Sequence, residues 1–212
     1  MKSNEQIRFC KICFKPLTID SFNSLMDPCV CLCNKCSFKL KPIFEKFEVA
    51  GVKGIAVYEY DDVIKELLYQ FKGNYDFELN HVFLGKFRRI LRLRFFGYTM
   101  VFAPSHIIDD EKRGFNHVKE IFKVLSLPFV EAFVKTEQAK QTEKHFNQRR
   151  EIGQAIKLAN SNKLSTQKIL IVDDIKTTGS TLTAMIKELK RIGTKHIRIL
   201  VLSITKLENL RK

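Results

Sequence analysis

The chain has 212 residues, 45% of them hydrophobic, and its 37 lysines and arginines outnumber 23 acidic residues to give a formal net charge of +14. This length allows one full hydrophobic core plus a small appendage. No stretch approaches the ~20 apolar residues of a membrane span, and the first residues lack the apolar core of a signal peptide, so we expect a cytoplasmic protein rather than a membrane-embedded or secreted one. So large a positive charge suits a polyanionic partner.

The six cysteines all lie within residues 10–36. A disulfide framework is not expected in a reducing compartment. Two CxxC pairs flank 19 intervening residues, a spacing typical of a structural four-sulfur zinc site. Cys29 or Cys31 could replace a ligand, and buried free thiols are the alternative, although so short a segment has little core to bury them. We predict a zinc-binding module over residues 1–50 whose ligands are Cys10, Cys13, Cys33 and Cys36.

Beyond the cysteines the pattern predicts alternating helices and strands, which favours an α/β domain with a mostly parallel sheet. The glycines at positions 51 and 54 suggest a boundary, so a second domain is expected over 51–212. Hydrophobic spacing predicts helices over 38–47, 61–71, 78–96 and 115–125 and strands over 54–60, 99–104, 129–134, 169–173 and 196–204.

The segment over 78–96 joins arginines to aromatic residues, as proteins that bind single-stranded nucleic acid do. Its apolar residues recur at helical spacing and are expected in the core, so the arginines could equally form the solvated face of an amphipathic helix. The residues expected in the core are Phe83, Leu84, Phe87, Ile90, Leu91 and Phe95.

The most informative segment lies over 168–181. Its apolar run 169–172 shows no alternation, which indicates a strand covered on both faces, and ligands of parallel sheets bind beyond the carboxyl ends of strands. Asp173 and Asp174 stand at that end, where carboxylates can accept hydrogen bonds from two vicinal hydroxyls such as those of a ribose. The loop 177–181 offers hydroxyls and a glycine and leads into a helix over 182–192, an arrangement that attracts phosphate. The plainer interpretation is that Asp174 caps this helix and the loop is an ordinary turn.

This segment resembles the signature of the type I phosphoribosyltransferases. The resemblance implies that the acidic pair holds the ribose hydroxyls of phosphoribosyl pyrophosphate (PRPP), that the loop cradles its 5′-phosphate and that Mg²⁺ accompanies it. It also places the pyrophosphate against the loop that follows Ala103-Pro104, with Lys112 and Arg113 closing over it, although these two could instead be a solvated charge pair. The catalytic residues implied are Asp173, Asp174 and Arg113. The PRPP-binding residues implied are Asp173, Asp174, Thr177, Thr178, Gly179, Ser180, Thr181, Ser105 and Lys112.

Further motifs resemble the ComF competence family. They are the segment 65–72, Ala103-Pro104 and the run Arg113-Gly-Phe-Asn-His117, in one order behind the two CxxC pairs. Members of the family commonly have Pro-Val-Pro and Arg-Gly-Phe-Asn-Gln at two of these places. This chain has Phe-Ala-Pro-Ser and Arg-Gly-Phe-Asn-His there and so differs from the family pattern at both. The resemblance implies a role in natural transformation and the handling of incoming single-stranded DNA, with other competence proteins such as a DNA-translocating helicase as partners, in the cytoplasm at the inner face of the inner membrane.

We therefore predict a type I phosphoribosyltransferase-like α/β fold, with a mostly parallel sheet flanked by helices, behind a small N-terminal zinc module. One hypothesis is a phosphoribosyltransferase of the competence machinery. Another is a non-catalytic single-stranded DNA-binding or scaffold protein for which PRPP is a regulatory ligand, and a third is a regulatory nucleotide binder. No residue identifies the acceptor, and the histidines considered as its activating base are His106, His117 and His145.

Overall fold

The computed structural model describes residues 8–17, 31–104, 110–111, 113–135, 156–158 and 164–206. Their main feature is a six-stranded sheet with the order β1-β2-β8-β7-β3-β4. Only the β1–β2 pair is antiparallel, and the other neighbours run parallel. The predicted mostly parallel α/β fold is confirmed.

The first elements are helix α1 (Asn34–Lys39) and the hairpin of β1 (Pro42–Val49) and β2 (Val52–Glu59). The predicted helix over 38–47 is therefore wrong. Burial along the second half of β1 alternates, with Phe47 and Val49 half-buried and Lys46 and Glu48 exposed, which is the period of a strand. The division of the chain near residue 50 stays a prediction.

Helix α2 (Asp62–Gly73) follows β2 and starts on the Asp61 side chain, which accepts a hydrogen bond from the backbone N–H of Ile64. The helix predicted over 78–96 is broken into a 3₁₀ turn (Phe77–Leu79), α3 (Asn80–Leu84), a second 3₁₀ turn (Gly85–Phe87) and α4 (Arg88–Arg94). Within the described ranges, no helix combines the length and apolar content needed to cross a bilayer.

The break changes which side chains of this segment are buried. Leu91 and Phe95 are in the core as predicted, whereas Ile90 is 64% exposed, so its predicted core position is wrong. A 3₁₀-helix has 3.0 residues per turn, whereas an α-helix has 3.6. Side chains after the 3₁₀ turn therefore point in other directions than they would on one continuous α-helix.

The remaining elements complete the parallel sheet and a small two-stranded sheet of β5 and β6. In chain order they are β3 (Tyr98–Phe102), α5 (His117–Lys123), β4 (Phe129–Val130), β5 (Phe133–Lys135), β6 (Ile156–Leu158), a 3₁₀ turn (Leu164–Thr166), β7 (Lys168–Lys176), α6 (Ser180–Arg191) and β8 (His196–Ile204).

Two apolar layers cover the sheet, one on each face. Along β7, Leu170 and Val172 point into the layer that contains α2 and α5, and Ile169 and Ile171 point into the layer that contains α6. All four side chains are fully buried. The absence of alternation in this run thus reflects a central strand covered on both faces, as predicted.

Candidate functional site

The acidic pair lies near the carboxyl end of β7, and the Thr/Gly/Ser loop connects that strand to α6. Helix α6 begins at Ser180, and its N-cap is Gly179, which adopts the left-handed conformation (φ 81°, ψ 12°) and makes no side-chain cap. Asp174 is part of the strand and does not cap the helix, so the plainer interpretation of this residue is wrong. The hydroxyl of Thr183 instead binds back to the carbonyl of Gly179 at 2.9 Å.

The β1–β2 hairpin packs against this loop and helix. A Cβ atom on Gly179 would lie 3.4 Å from a methyl group of Val49, and the left-handed backbone already disfavours any other residue there. At the far end of α6, the ammonium of Lys190 donates to the carbonyl of Ala50 at 2.9 Å. The hairpin therefore fixes the position of α6 at both of its ends.

Asp174 is buried and fully engaged. Its Oδ2 atom contacts the ammonium of Lys72 and accepts from Nε2 of His117 at 3.0 Å, while its Oδ1 accepts from the backbone N–H of Ile175 at 2.7 Å. Burial by itself would raise the pKa of Asp174, but the His117 hydrogen bond and the Lys72 charge outweigh it and hold that pKa far below its usual range. Asp174 is therefore a permanent carboxylate at neutral pH.

Asp173 has the opposite electrostatic environment. Burial, together with the negative charge of Asp174, raises the pKa of Asp173 well above its usual range. Its Oδ1 accepts one hydrogen bond, 2.9 Å long, from the backbone N–H of Asp174. Lys72 and His117 both bind Asp174, whereas the side chain of Asp173 interacts with the backbone N–H and the side chain of Asp174. Asp173 is therefore the member of the pair that we expect to bind a ligand.

His117 connects Asp174 to the preceding Arg113–Asn116 segment. Its Nδ1 lies 2.6 Å from a guanidinium nitrogen of Arg113. Since a guanidinium can only donate, Nδ1 must accept, and the proton of the neutral ring is on Nε2, which donates to Asp174. The outer end of this chain is Asp110, whose carboxylate contacts Arg113 at 3.4 Å and accepts from the amide of Asn116 at 2.8 Å.

The structure describes some of the predicted site residues and not others. Arg113 is only 12% exposed, so it is not half of a solvated charge pair, and in this structure it contacts His117 rather than projecting from its loop. Among the loop hydroxyls, those of Thr177, Thr178 and Ser180 are on exposed residues, as a phosphate cradle requires, and Thr181 is partly buried. Ser105, Lys112, His106 and His145 lie outside the described residues.

The sequence reasoning missed Lys72. It lies in the last turn of α2, one residue after Phe71 and four after Leu68, and both of those are buried. A lysine next to the buried apolar side of an amphipathic helix is unusual. This position of Lys72 in the sequence could have marked it as a functional residue. Next to it, a cavity of about 530 Å³ is lined by residues of α2 and by the ends of β2 and β7, including Tyr60, Tyr69, Lys72 and Ile175.

The N-terminal cysteines form a second cluster. Four sulfur atoms lie within 4.8 Å of one another, and those of Cys13 and Cys33 are 3.7 Å apart. Four sulfurs around a zinc ion at ~2.3 Å would form a tetrahedron with edges of about 3.8 Å, so this cluster fits a structural zinc ion. Cys31 is outside the cluster and packs against the main core, whereas Cys29 lies outside the described residues. The four clustered residues are Cys10, Cys13, Cys33 and Cys36.

The thiols of this cluster also differ in acidity. Burial opposes ionisation of Cys10, but hydrogen bonds from the backbone of Cys33, Cys13 and Ile12 lower its pKa to about 6. Burial and the neighbouring thiols raise the pKa of Cys36 to about 12. A cation that binds all four sulfurs would remove the repulsion that keeps the later thiols protonated.

Comparison with known proteins agrees with this architecture. The phosphoribosyl transferase domain family matches residues 104–210. The competence protein ComFC of Streptococcus pneumoniae is 26% identical over 215 residues, which cover 89% of this chain and 96% of that protein. The competence protein ComFC of Bacillus subtilis is 28% identical over 129 residues, covering 60% of this chain and 53% of that one.

Among solved structures, a hypoxanthine phosphoribosyltransferase from Staphylococcus aureus has a TM-score of 0.40 and 11% identity, over 59% of this chain and 62% of that chain. A purine phosphoribosyltransferase from Pyrococcus horikoshii has a TM-score of 0.33 and 20% identity, over 55% of this chain and 69% of that chain. The family match covers half of the sequence and includes the acidic pair and its loop. The chain belongs to the phosphoribosyl transferase domain family and, within it, to the ComFC-type proteins.

Proposed function

We propose that the protein binds PRPP together with Mg²⁺ at the carboxyl end of β7 and serves natural transformation, where it acts on or with incoming single-stranded DNA. The observation that carries the proposal is the unequal acidic pair, in which Lys72 and His117 bind Asp174 and neither of them hydrogen-bonds Asp173. The names of the two ComFC relatives support the competence role.

The site supplies the groups that this ligand needs. The hydroxyls and backbone of 177–181 face the 5′-phosphate at the start of α6, where the helix dipole favours negative charge. Asp173 accepts hydrogen bonds from the ribose hydroxyls. A carboxylate oxygen also suits Mg²⁺, which keeps several waters and binds substrate phosphates, and when bound the ion would neutralise charge on the pyrophosphate.

If transfer occurs, the bond between the anomeric carbon and the pyrophosphate oxygen breaks, pyrophosphate leaves with the electron pair, and an acceptor nucleophile bonds to the same carbon. The cavity lined by Tyr60, Tyr69 and Lys72 adjoins Asp174 and has room for an acceptor. Arg113 would have to leave His117 to contact the leaving group.

A second candidate is a non-catalytic DNA-binding or scaffold protein that uses PRPP as a regulatory ligand. The engagement of Arg113 by His117 and Asp110 favours it, because the residue expected to stabilise the leaving group is bound elsewhere. The net charge of +14 also exceeds what PRPP requires. Release of pyrophosphate from PRPP during DNA binding separates the two candidates.

Calorimetric titration with PRPP and Mg²⁺ tests the site. Replacing an acceptor that receives hydrogen bonds in a charged site costs ~1.5–3 kcal/mol, so Asp173→Asn should weaken PRPP binding by about 10- to 100-fold. Glu188→Gln, which replaces a carboxylate near the far end of α6 that pairs with Arg191, is the control and should bind normally. Unchanged PRPP affinity in Asp173→Asn would show that the site is assigned wrongly. Filter binding of single-stranded DNA tests the partner separately.

A further inference from the structure

A second concave surface lies away from the acidic pair, between the β1–β2 hairpin and the segment that joins α4 to β3. It is a groove of about 800 Å³. Its lining includes the start of β3 and the early part of β8, where Arg198 pairs with Leu170, whereas the acidic pair lies further along β7. The groove is therefore nearer the amino ends of the parallel strands, and it shares no lining residue with the cavity beside Asp174.

Cations dominate the rim of this groove. Lys46 comes from β1, Lys53 from β2, Arg94 from the end of α4 and Arg198 from β8, and all four are exposed. Glu48 is the single acidic residue in the lining. Across the part of the chain that the structure describes, none of the four cations forms an ion pair or a side-chain hydrogen bond.

This arrangement differs from an ordinary solvated helix face. The four cations come from four different elements, and the fold brings them around one concavity. The floor is apolar and aromatic: Tyr98 is half-buried, and its ring meets that of the buried Phe95 edge-on at 6.0 Å. A groove with separated cations on its rim and an aromatic surface inside has the features of a site for a phosphodiester chain whose bases are unpaired.

We propose that this groove binds the backbone of a single-stranded nucleic acid, an inference that rests on the DNA partner of the proposed function. Lys46, Lys53, Arg94 and Arg198 contact successive phosphates, and Tyr98 offers a surface on which a base can stack. The concavity favours a flexible strand, because a single strand can bend along the rim and place an unpaired base on the recessed aromatic floor, whereas a stiff duplex or a flat anionic bilayer does not reach that floor.

Salt dependence of binding tests the groove directly. The probe is a labelled oligothymidylate of about 20 nucleotides, which exceeds the site size of a single binding fold. The groove variant carries Lys53→Gln, Arg94→Gln and Arg198→Gln. The control carries Lys39→Gln, Lys157→Gln and Lys187→Gln, which remove the same charge from exposed positions outside both the groove and the cavity beside Asp174.

Each lost phosphate contact lowers the slope of log K against log salt by about 0.7, so the groove variant should lose about 2 from its slope, and the control should lose little. Glu48→Gln should strengthen binding, because it removes the only carboxylate in the lining. The groove variant should still bind PRPP and keep its melting temperature, since exposed substitutions change stability by about 0.5 kcal/mol or less.

Three outcomes would overturn the inference. Equal weakening by the groove and control variants would mean that diffuse charge, not the groove, binds the strand. Loss of binding to anionic phosphatidylserine vesicles without loss of oligonucleotide binding would assign the groove to lipid. If the unmodified protein shows no affinity for the oligonucleotide even at low salt, the DNA partner of the proposed function fails as well, whereas the PRPP site is judged by calorimetry alone.

Discussion

Replacing Lys72 with methionine removes one of the two side chains that hold Asp174 while it keeps most of the alkyl stem. The side chain of Lys72 is 25% exposed and that of Asp174 is 11% exposed, so the pair is largely buried. Removing one partner of a fully buried pair costs ~3–5 kcal/mol, and the partial exposure of Lys72 together with the remaining His117 bond reduces this to about 2 kcal/mol.

For a chain of this size, such a loss lowers the melting temperature by about 4–8 °C. Thermal and denaturant unfolding of Lys72→Met at pH 7 measure it. Lys65→Met is the matched control, because Lys65 is an exposed lysine on the same helix, and its change should stay within about 0.5 kcal/mol. The pKa of Asp174 is depressed in the folded state, so the stability it contributes is present above its unfolded pKa of ~3.9 and is lost as the pH falls further. The difference in the free energy of unfolding between Lys72→Met and the unmodified protein should therefore become smaller below about pH 4.

A double-mutant cycle gives the decisive test. Once Lys72 is methionine, Asp174→Asn should cost much less than it costs in the unmodified protein, because the carboxylate has already lost that partner. The test compares the change in the free energy of unfolding of the double variant with the sum of the changes in the two single variants. If they agree to within about 0.5 kcal/mol, Lys72 and Asp174 do not stabilise each other and the reasoning on Asp174 is refuted.

Two further predictions concern the acidic pair and the cysteines. Because the pKa of Asp173 is raised in the folded state, the protein loses stability as the pH rises through that pKa. Asp173→Asn should therefore raise the melting temperature at pH 7, whereas Asp174→Asn should lower it. A lower melting temperature in both variants would contradict the assigned difference between the two aspartates. The purified protein should contain one zinc ion per chain by mass spectrometry, and chelation should abolish amide-exchange protection over 31–40 but not in β7 or α6, whereas an unchanged exchange pattern would exclude a structural metal.

Much of the fold could be predicted from the sequence. The unalternating run 169–172 and the helical spacing after Gly179 predicted β7 and α6 correctly, because both elements are specified by burial patterns within a single segment. The errors occurred where the spacing of apolar residues does not distinguish a helix from a strand or an α-helix from a 3₁₀ turn. Strand β1 was predicted as a helix because it is an edge strand with only partial burial, and the continuous helix over 78–96 failed at the 3₁₀ turn that begins at Gly85.

By itself, the sequence determined the chemistry of the loop after β7 and the spacing of the two CxxC pairs, because each depends on residues close together in the chain. Only the tertiary structure decided that the two aspartates are unequal. Lys72 lies 102 positions before Asp174 and His117 lies 57 positions before it, and no local pattern joins them. The same holds for the basic groove, whose cations come from four elements. Long-range packing sets the neighbours of a buried carboxylate, and those neighbours set its charge.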